Sequence, residues 1–260
     1  MNKRKKITLL VLLPFLASGC EEKRVDFNLY KRSPQESALA AMKSGSADTR
    51  YKTLVELAKS KSLGADWAVK AMIVIVRTDP SGSVRALAAH NLGRVGDRRV
   101  VAVLVEALED TDDRVRTASA WALAQVNVPG CGVDAQTIFN ARKTLRAVLS
   151  SDTALDVRLY SAKALGQYKT SEVLMSLVAA LKDNDFAVRY EAEMSLVRLT
   201  GVTFRGNPEK WLAWLKDHPD PFKNAGHIPA ELVPPKQNAF QKARDDFDRF
   251  YYDWQGPSKR

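Results

Sequence analysis

The chain has 260 residues, 45% of them apolar and 27% charged, with a formal charge of +10 from 40 basic and 30 acidic side chains. This is globular composition, and it excludes a disordered polymer and a polytopic membrane protein. Two cysteines and three histidines exclude a disulfide-stapled scaffold and a histidine-rich metal centre.

The chain opens with Lys3, Arg4, Lys5 and Lys6, followed by an apolar run from Ile7 to Leu16 that contains Pro14. Ten residues rise about 15 Å as a helix, half of what a bilayer core of roughly 30 Å demands. The proportions are those of a signal peptide rather than a membrane span. Ala17, Ser18, Gly19 and Cys20 follow. Small residues before a cysteine resemble the lipobox of bacterial lipoproteins, with Ala17 standing where the family usually has Leu. The resemblance implies lipidation of Cys20, removal of residues 1–19 and lasting attachment through several acyl chains. The mature charge falls to +6, because the leader carries four bases and no acid. Cys131 is then the remaining free thiol, in a Pro- and Gly-containing loop with no His or base nearby in sequence. Glu21 and Glu22 follow the anchor in place of the Asp associated with inner-membrane retention. The expected address is the bacterial cell envelope on its periplasmic side, with the outer membrane favoured over the inner. Residues 20–33 read as a post-anchor linker.

The middle of the chain repeats itself. VRALAAHNLGRV from Val84, VRTASAWALAQV from Val115, VRLYSAKALGQY from Val157 and VRYEAEMSLVRL from Val188 align without gaps. Each starts Val-Arg, carries Ala or Ser four residues on and Leu eight on. Offsets 0, 4, 8 and 11 share one helix face. A second helical pattern precedes each, joined by the turns TDPSGS, EDTDDR, SSDTALD and KDNDFA. The unit is helix, Asp turn, helix. It resembles the HEAT repeat family in its phycobilisome-lyase-type form, over Gly64 to about Gly201. That implies an all-α fold, a right-handed α-solenoid of HEAT-like helix pairs at 34–218. An irregular pair at Pro34–Met42 and Ala47–Ser60 is expected to cap the front, and a helix at Pro208–Lys216 with Trp211, Trp214 and Leu215 to cap the rear.

Arg85, Arg116, Arg158 and Arg189 invite a nucleic-acid reading, but each lies near an Asp turn. The expectation is a structural Asp–Arg ladder between units. A net +6 over the mature chain is also a weak field, so no nucleic-acid partner is expected. With offsets 0, 4, 8 and 11 in the core, offsets 2, 6 and 9 form the opposite face. These are Ala86, His90, Gly93; Thr117, Trp121, Ala124; Leu159, Lys163, Gly166; and Tyr190, Met194, Val197. In HEAT-type solenoids such residues line the concave surface. His90, Trp121, Leu159, Lys163, Tyr190 and Met194 are therefore the candidate contacts for a protein or peptide partner of unknown identity.

Five of the seventeen residues of Pro219–Pro235 are proline, which reads as an extended linker. Beyond it, residues 236–260 read as an amphipathic helix with Phe240, Ala243, Phe247, Phe250, Tyr251 and Trp254 on one broad face. No GxGxxG, P-loop, GxSxG, CxxC or HExxH motif occurs. His90, His218 and His227 precede Asn, Pro and Ile, and Tyr190 stands before Glu191 where HEAT-like di-iron hydroxylases pair His with Glu. No catalytic residue, metal or cofactor is expected. The reading is a non-catalytic, lipid-anchored interaction or scaffold protein. The alternative is an enzyme, or an accessory subunit of one, acting on envelope material.

Overall fold

The computed structural model describes residues 33–232. The leader, Cys20 and the segment 236–260 lie outside the described residues. Eleven α-helices account for the described chain: α1 (Pro34–Met42), α2 (Ala47–Lys59), α3 (Asp66–Thr78), α4 (Gly82–Val95), α5 (Val101–Glu106), α6 (Asp113–Gln125), α7 (Ala135–Ser151), α8 (Leu155–Leu165), α9 (Ser171–Ala180), α10 (Phe186–Thr200) and α11 (Pro208–Asp217). No strand occurs among them. The fold is an all-α solenoid.

The even-numbered helices α2 to α10 stack side by side as one layer, and α3, α5, α7 and α9 form the other. The register read from the sequence supplies the core. Val84, Val115, Val157 and Val188 at offset 0, Ala88, Ser119, Ser161 and Ala192 at offset 4, and Leu92, Leu123, Leu165 and Leu196 at offset 8 are all buried. The even-numbered helices pack far more closely on one another than the odd-numbered ones do. Closer spacing on one side bends a stack toward that side, so this layer is the inner one. Glycine permits the approach. A Cβ on Gly93 would stand 2.5 Å from the Ala122 Cβ, and one on Gly166 would stand 2.7 Å from the Ser195 hydroxyl. Offset 9 was expected on the open face; instead Gly93, Gly166 and Val197 are buried between neighbouring helices. The open strip is therefore narrower than the helical wheel suggests.

The turns carry two kinds of aspartate. Asp112 and Asp185 cap the next helix by accepting the N–H of Arg114 and Ala187. Asp79, Asp110, Asp152 and Asp183 each accept the N–H two residues on, at 2.8 to 2.9 Å, and so turn an oxygen pair toward the preceding unit. Gly96 and Gly201 end α4 and α10 with φ of +69° and +74°, the left-handed region that glycine enters without a Cβ clash.

Three points refine the sequence reading. The front pair α1–α2 spans the expected residues, and its Arg50 in α2 forms the same ladder bond as the inner units although its own turn carries Ser44 in place of Asp. The motif had been hidden because Thr49 replaces the usual Val. Second, the helix preceding the Asp110 turn is short, with 3₁₀ turns at Arg98–Val100 and Ala107–Glu109 on either side of α5. Third, the described part of the Pro-rich stretch is not an extended linker. Phe222 packs on the core, Asn224 lies against Gly201, and the Gly226 N–H donates to the Arg198 carbonyl at 2.9 Å. Prolines fix φ, and a fixed φ suits a packed turn as well as an open spacer. The rear cap centres on Trp211, which is fully buried. Its Nε1 donates to Glu193 Oε2 at 2.7 Å. The other oxygen of Glu193 accepts from the Thr203 hydroxyl and the Phe204 N–H. This buried carboxylate fastens α10 to α11, and no repeat signal marks it.

Candidate functional site

Two constellations repeat along the inner layer. The first is the ladder. Arg85 donates Nε and Nη2 to the two oxygens of Asp110, at 2.8 and 2.7 Å. Arg116 does the same to Asp152 at 2.7 and 3.0 Å, and Arg158 to Asp183 at 2.8 and 3.1 Å. Each Nη1 donates to the carbonyl six residues back, that of Asp79, Asp110 and Asp152 respectively. One guanidinium thus ties its own turn to the next unit's turn. Arg50, which the sequence reading left out, makes the first rung to Asp79 at 2.6 and 2.8 Å, with Nη1 on the Ser44 carbonyl. Arg189 keeps only the carbonyl bonds, to Asp183 and Asn184. It has no aspartate partner among the described residues: α11 ends in the turn Asp217-His218-Pro219-Asp220, and neither of those aspartates bonds to Arg189.

Burial pushes the carboxyls of Asp79, Asp110, Asp152 and Asp183 up. The bidentate guanidinium, the turn N–H and the neighbouring arginine charges outweigh it, and all four sit below the usual carboxylate range. These four arginines are committed to fixed partners, which leaves them little to offer a nucleic-acid phosphate.

The second constellation is the strip at offsets 2 and 6. His90 on α4 stacks on Trp121 of α6, with ring centroids 4.0 Å apart and planes 17° from parallel. Burial, with a smaller push from Arg94, lowers the His90 imidazole below its usual range. Trp121 and Leu159 are half-buried and pack on the core. Reading them as free of the core register therefore needs revision: stacked helices sink these offset-2 and offset-6 side chains partway into the seam. Lys163 and Met194 are half-buried. Tyr190 is 54% exposed. Phe186, one turn earlier on α10, is 70% exposed, and its ring centroid lies 6.1 Å from that of Tyr190.

The sequence reading missed Phe186, Tyr51 and Leu155, since it started counting at the Val-Arg pair. Tyr51 extends offset 2 to the front unit, and Phe186 and Leu155 stand one turn before Tyr190 and Leu159. Apolar exposure therefore grows toward the rear of the strip. Between Lys163 and Arg198 lies Glu191. Burial raises its carboxyl, opposed by those two cations. The front of the strip is a shallow cavity lined by Tyr51, His90, Arg114 and Ala118, among others. Among the described residues no three or more His, Cys, Asp or Glu side chains are grouped to hold a metal, and no helix is long and apolar enough to cross a membrane. Cys131 is half-buried, its Sγ 3.3 Å from the Val128 carbonyl. It lies near Tyr168, which is buried with its hydroxyl unpartnered among the described residues.

An all-α stack with a largely buried inter-unit ladder and an open strip on its inner layer defines a repeat solenoid. The chain matches the HEAT repeats model over residues 69–136 and 141–221, more than half its length, and it belongs to that family. Among solved structures it is similar to the complex of CpcE and CpcF of phycocyanin lyase from Nostoc sp. PCC7120, with 21% identity, a TM-score of 0.54, and 77% of this chain and 74% of that one covered. It is also similar to an engineered protein, with 18% identity, a TM-score of 0.52, and 73% and 93% coverage. A designed armadillo repeat protein in complex with the peptide (KR)4 matches with 14% identity, a TM-score of 0.51, and 82% and 97% coverage. At these identities the likeness is one of fold. No curated protein matches the chain.

Proposed function

We propose that this HEAT-repeat protein is a lipid-anchored interaction protein of the bacterial envelope, holding a protein or peptide partner on the inner layer of its solenoid. The observation that carries the reading is the strip of His90–Trp121, Leu159, Tyr190 and Met194 on that layer. Its rear half keeps aromatic surface in water that the solenoid does not need for its own core. Aromatic anchors on a rigid concave wall are what a binding surface requires, because their energy is not spent on ordering the protein. The solved neighbours agree with this use of the fold, since one is a two-protein complex and another holds a peptide. That the first of these belongs to a lyase keeps an accessory role in an enzyme as the second reading.

The anchor rests on the leader and Cys20. Cys20→Ser is expected to abolish lipidation and leave an unprocessed or soluble chain. A variant that still fractionates with membranes after a high-salt wash would overturn the lipobox assignment. The strip is tested by cross-linked capture from envelope extract. Tyr190→Ala should weaken capture about tenfold, the loss of one anchor worth roughly 1.4 kcal/mol or more, and leave melting nearly unchanged. Trp121→Ala should weaken capture and also lower stability, because its ring is stacked and half-buried. Unchanged capture in both variants would refute the strip.

A further inference from the structure

The ladder is closed at the front and unfinished at the rear. Arg50, Arg85, Arg116 and Arg158 each hold a carboxylate on the Nε–Nη2 edge. Arg189 is seated in the same way, its Nη1 on the Asp183 carbonyl at 2.7 Å, and no carboxylate of the described residues meets its other edge. Beside it stand Phe186, 70% exposed, and Tyr190, 54% exposed. The Arg189 guanidinium carbon lies 5.8 Å from the Phe186 ring centre. Leu155, 37% exposed, and Leu159 hold the equivalent positions on α8. A guanidinium set for bidentate bonding, flanked by exposed aromatic and aliphatic side chains, is complementary to a segment that alternates acids with aromatics.

We propose that the chain's own segment 236–260 docks here. One of Asp245, Asp246 and Asp248 closes the fifth rung on Arg189, and Phe247, Phe250 and Tyr251 cover the surface around Phe186 and Tyr190. The sequence RDDFDRFYY supplies this alternation, and its three clustered acids are the charge that the open rung lacks. The tether is long enough. Gly226 is bonded to Arg198 near the C-terminal end of α10, and the 15 residues of α10 span about 22 Å. The thirteen residues from Leu232 to Asp245 reach about 40 Å when extended. A second copy stacked head to tail does not fit as well. Its front turn carries Ser44 where the inner turns carry Asp79, Asp110, Asp152 and Asp183, and that hydroxyl is already the acceptor for the Ser46 N–H at 3.2 Å. Such a copy brings no carboxylate at the turn position that holds the rung aspartates. The docking stands independently of the partner reading; where both hold, the segment is an internal competitor that a partner must displace from the rear of the strip.

The test uses the purified full chain in detergent, with p-benzoylphenylalanine in place of Phe186, irradiated at low protein concentration and mapped by mass spectrometry. An intrachain cross-link to a peptide within 236–260 is expected. Its yield should fall about tenfold, the loss of one charge-assisted bidentate contact, in Asp245→Asn/Asp246→Asn/Asp248→Asn and likewise in Arg189→Gln. A cross-link that is mainly between chains, one to any other part of the chain, no cross-link at all, or a yield unmoved by the Asn substitutions would each overturn the proposal. No extract is present in this experiment, so a failure of partner capture leaves its outcome unaffected.

Discussion

Arg116→Ala measures how much the ladder holds the stack together. The guanidinium gives two bonds to Asp152 and one to the Asp110 carbonyl, at 2.7 to 3.0 Å. Its side chain is 16% exposed and that of Asp152 is 6% exposed. After truncation Asp152 remains desolvated, with the Ala154 N–H still bonded to it. Breaking a fully buried pair costs about 3–5 kcal/mol, whereas an exposed pair contributes about 0–1 kcal/mol. The partial exposure of Arg116 and the surviving bond place this rung at about 2–3 kcal/mol. For a domain of this size that is a fall in Tm of about 4–12 °C.

The molecule supplies its own control. Arg77 and Glu106 form the same bidentate contact one unit apart in the outer layer, at 2.8 and 3.0 Å, but their side chains are 48% and 56% exposed. Arg77→Ala should therefore cost less than about 1 kcal/mol. Thermal and urea melts followed by circular dichroism read both variants. Equal losses, or an Arg116→Ala variant as stable as the parent, would refute the argument from burial. The double variant Arg116→Ala/Asp152→Ala should lose less than the sum of the single losses, because the second change removes the stranded charge.

Gly93→Ala should destabilise by about 1–3 kcal/mol despite the roughly 1 kcal/mol that Ala gains over Gly in a helix. The added Cβ meets the Ala122 Cα at 2.6 Å, and that atom is α6 backbone. A stabilised variant would show that α4 and α6 can part without loss. Acid should weaken the fold through the ladder. The four rung aspartates titrate below the usual 3.8 when folded, and Asp112, bonded by Arg114, falls to about 2. Their contribution is complete above about pH 5 and is lost as pH drops through the folded values. A melting profile that is flat from pH 5 down to pH 2 would contradict this.

The sequence by itself determined the units, their turns and their core register. Val, a small residue and Leu at offsets 0, 4 and 8 can be buried together only on one helix face, so their recurrence fixes the helix and its inward side in one step. The Asp turns and Val-Arg pairs likewise implied a ladder, because opposite charges recur at matched places. Tertiary structure alone decided the rest. Whether Arg50 is a rung depends on where Asp79 lies, twenty-nine residues away, and no local signal states that. Glu193 looks like an ordinary helical acid until Trp211 and the Thr203–Phe204 segment close over it. Gly93 and Val197 passed for open-face residues because a helical wheel shows angle and not the distance to the next helix. Burial at a seam is set by that spacing, and the spacing depends on the small side chains of two helices at once.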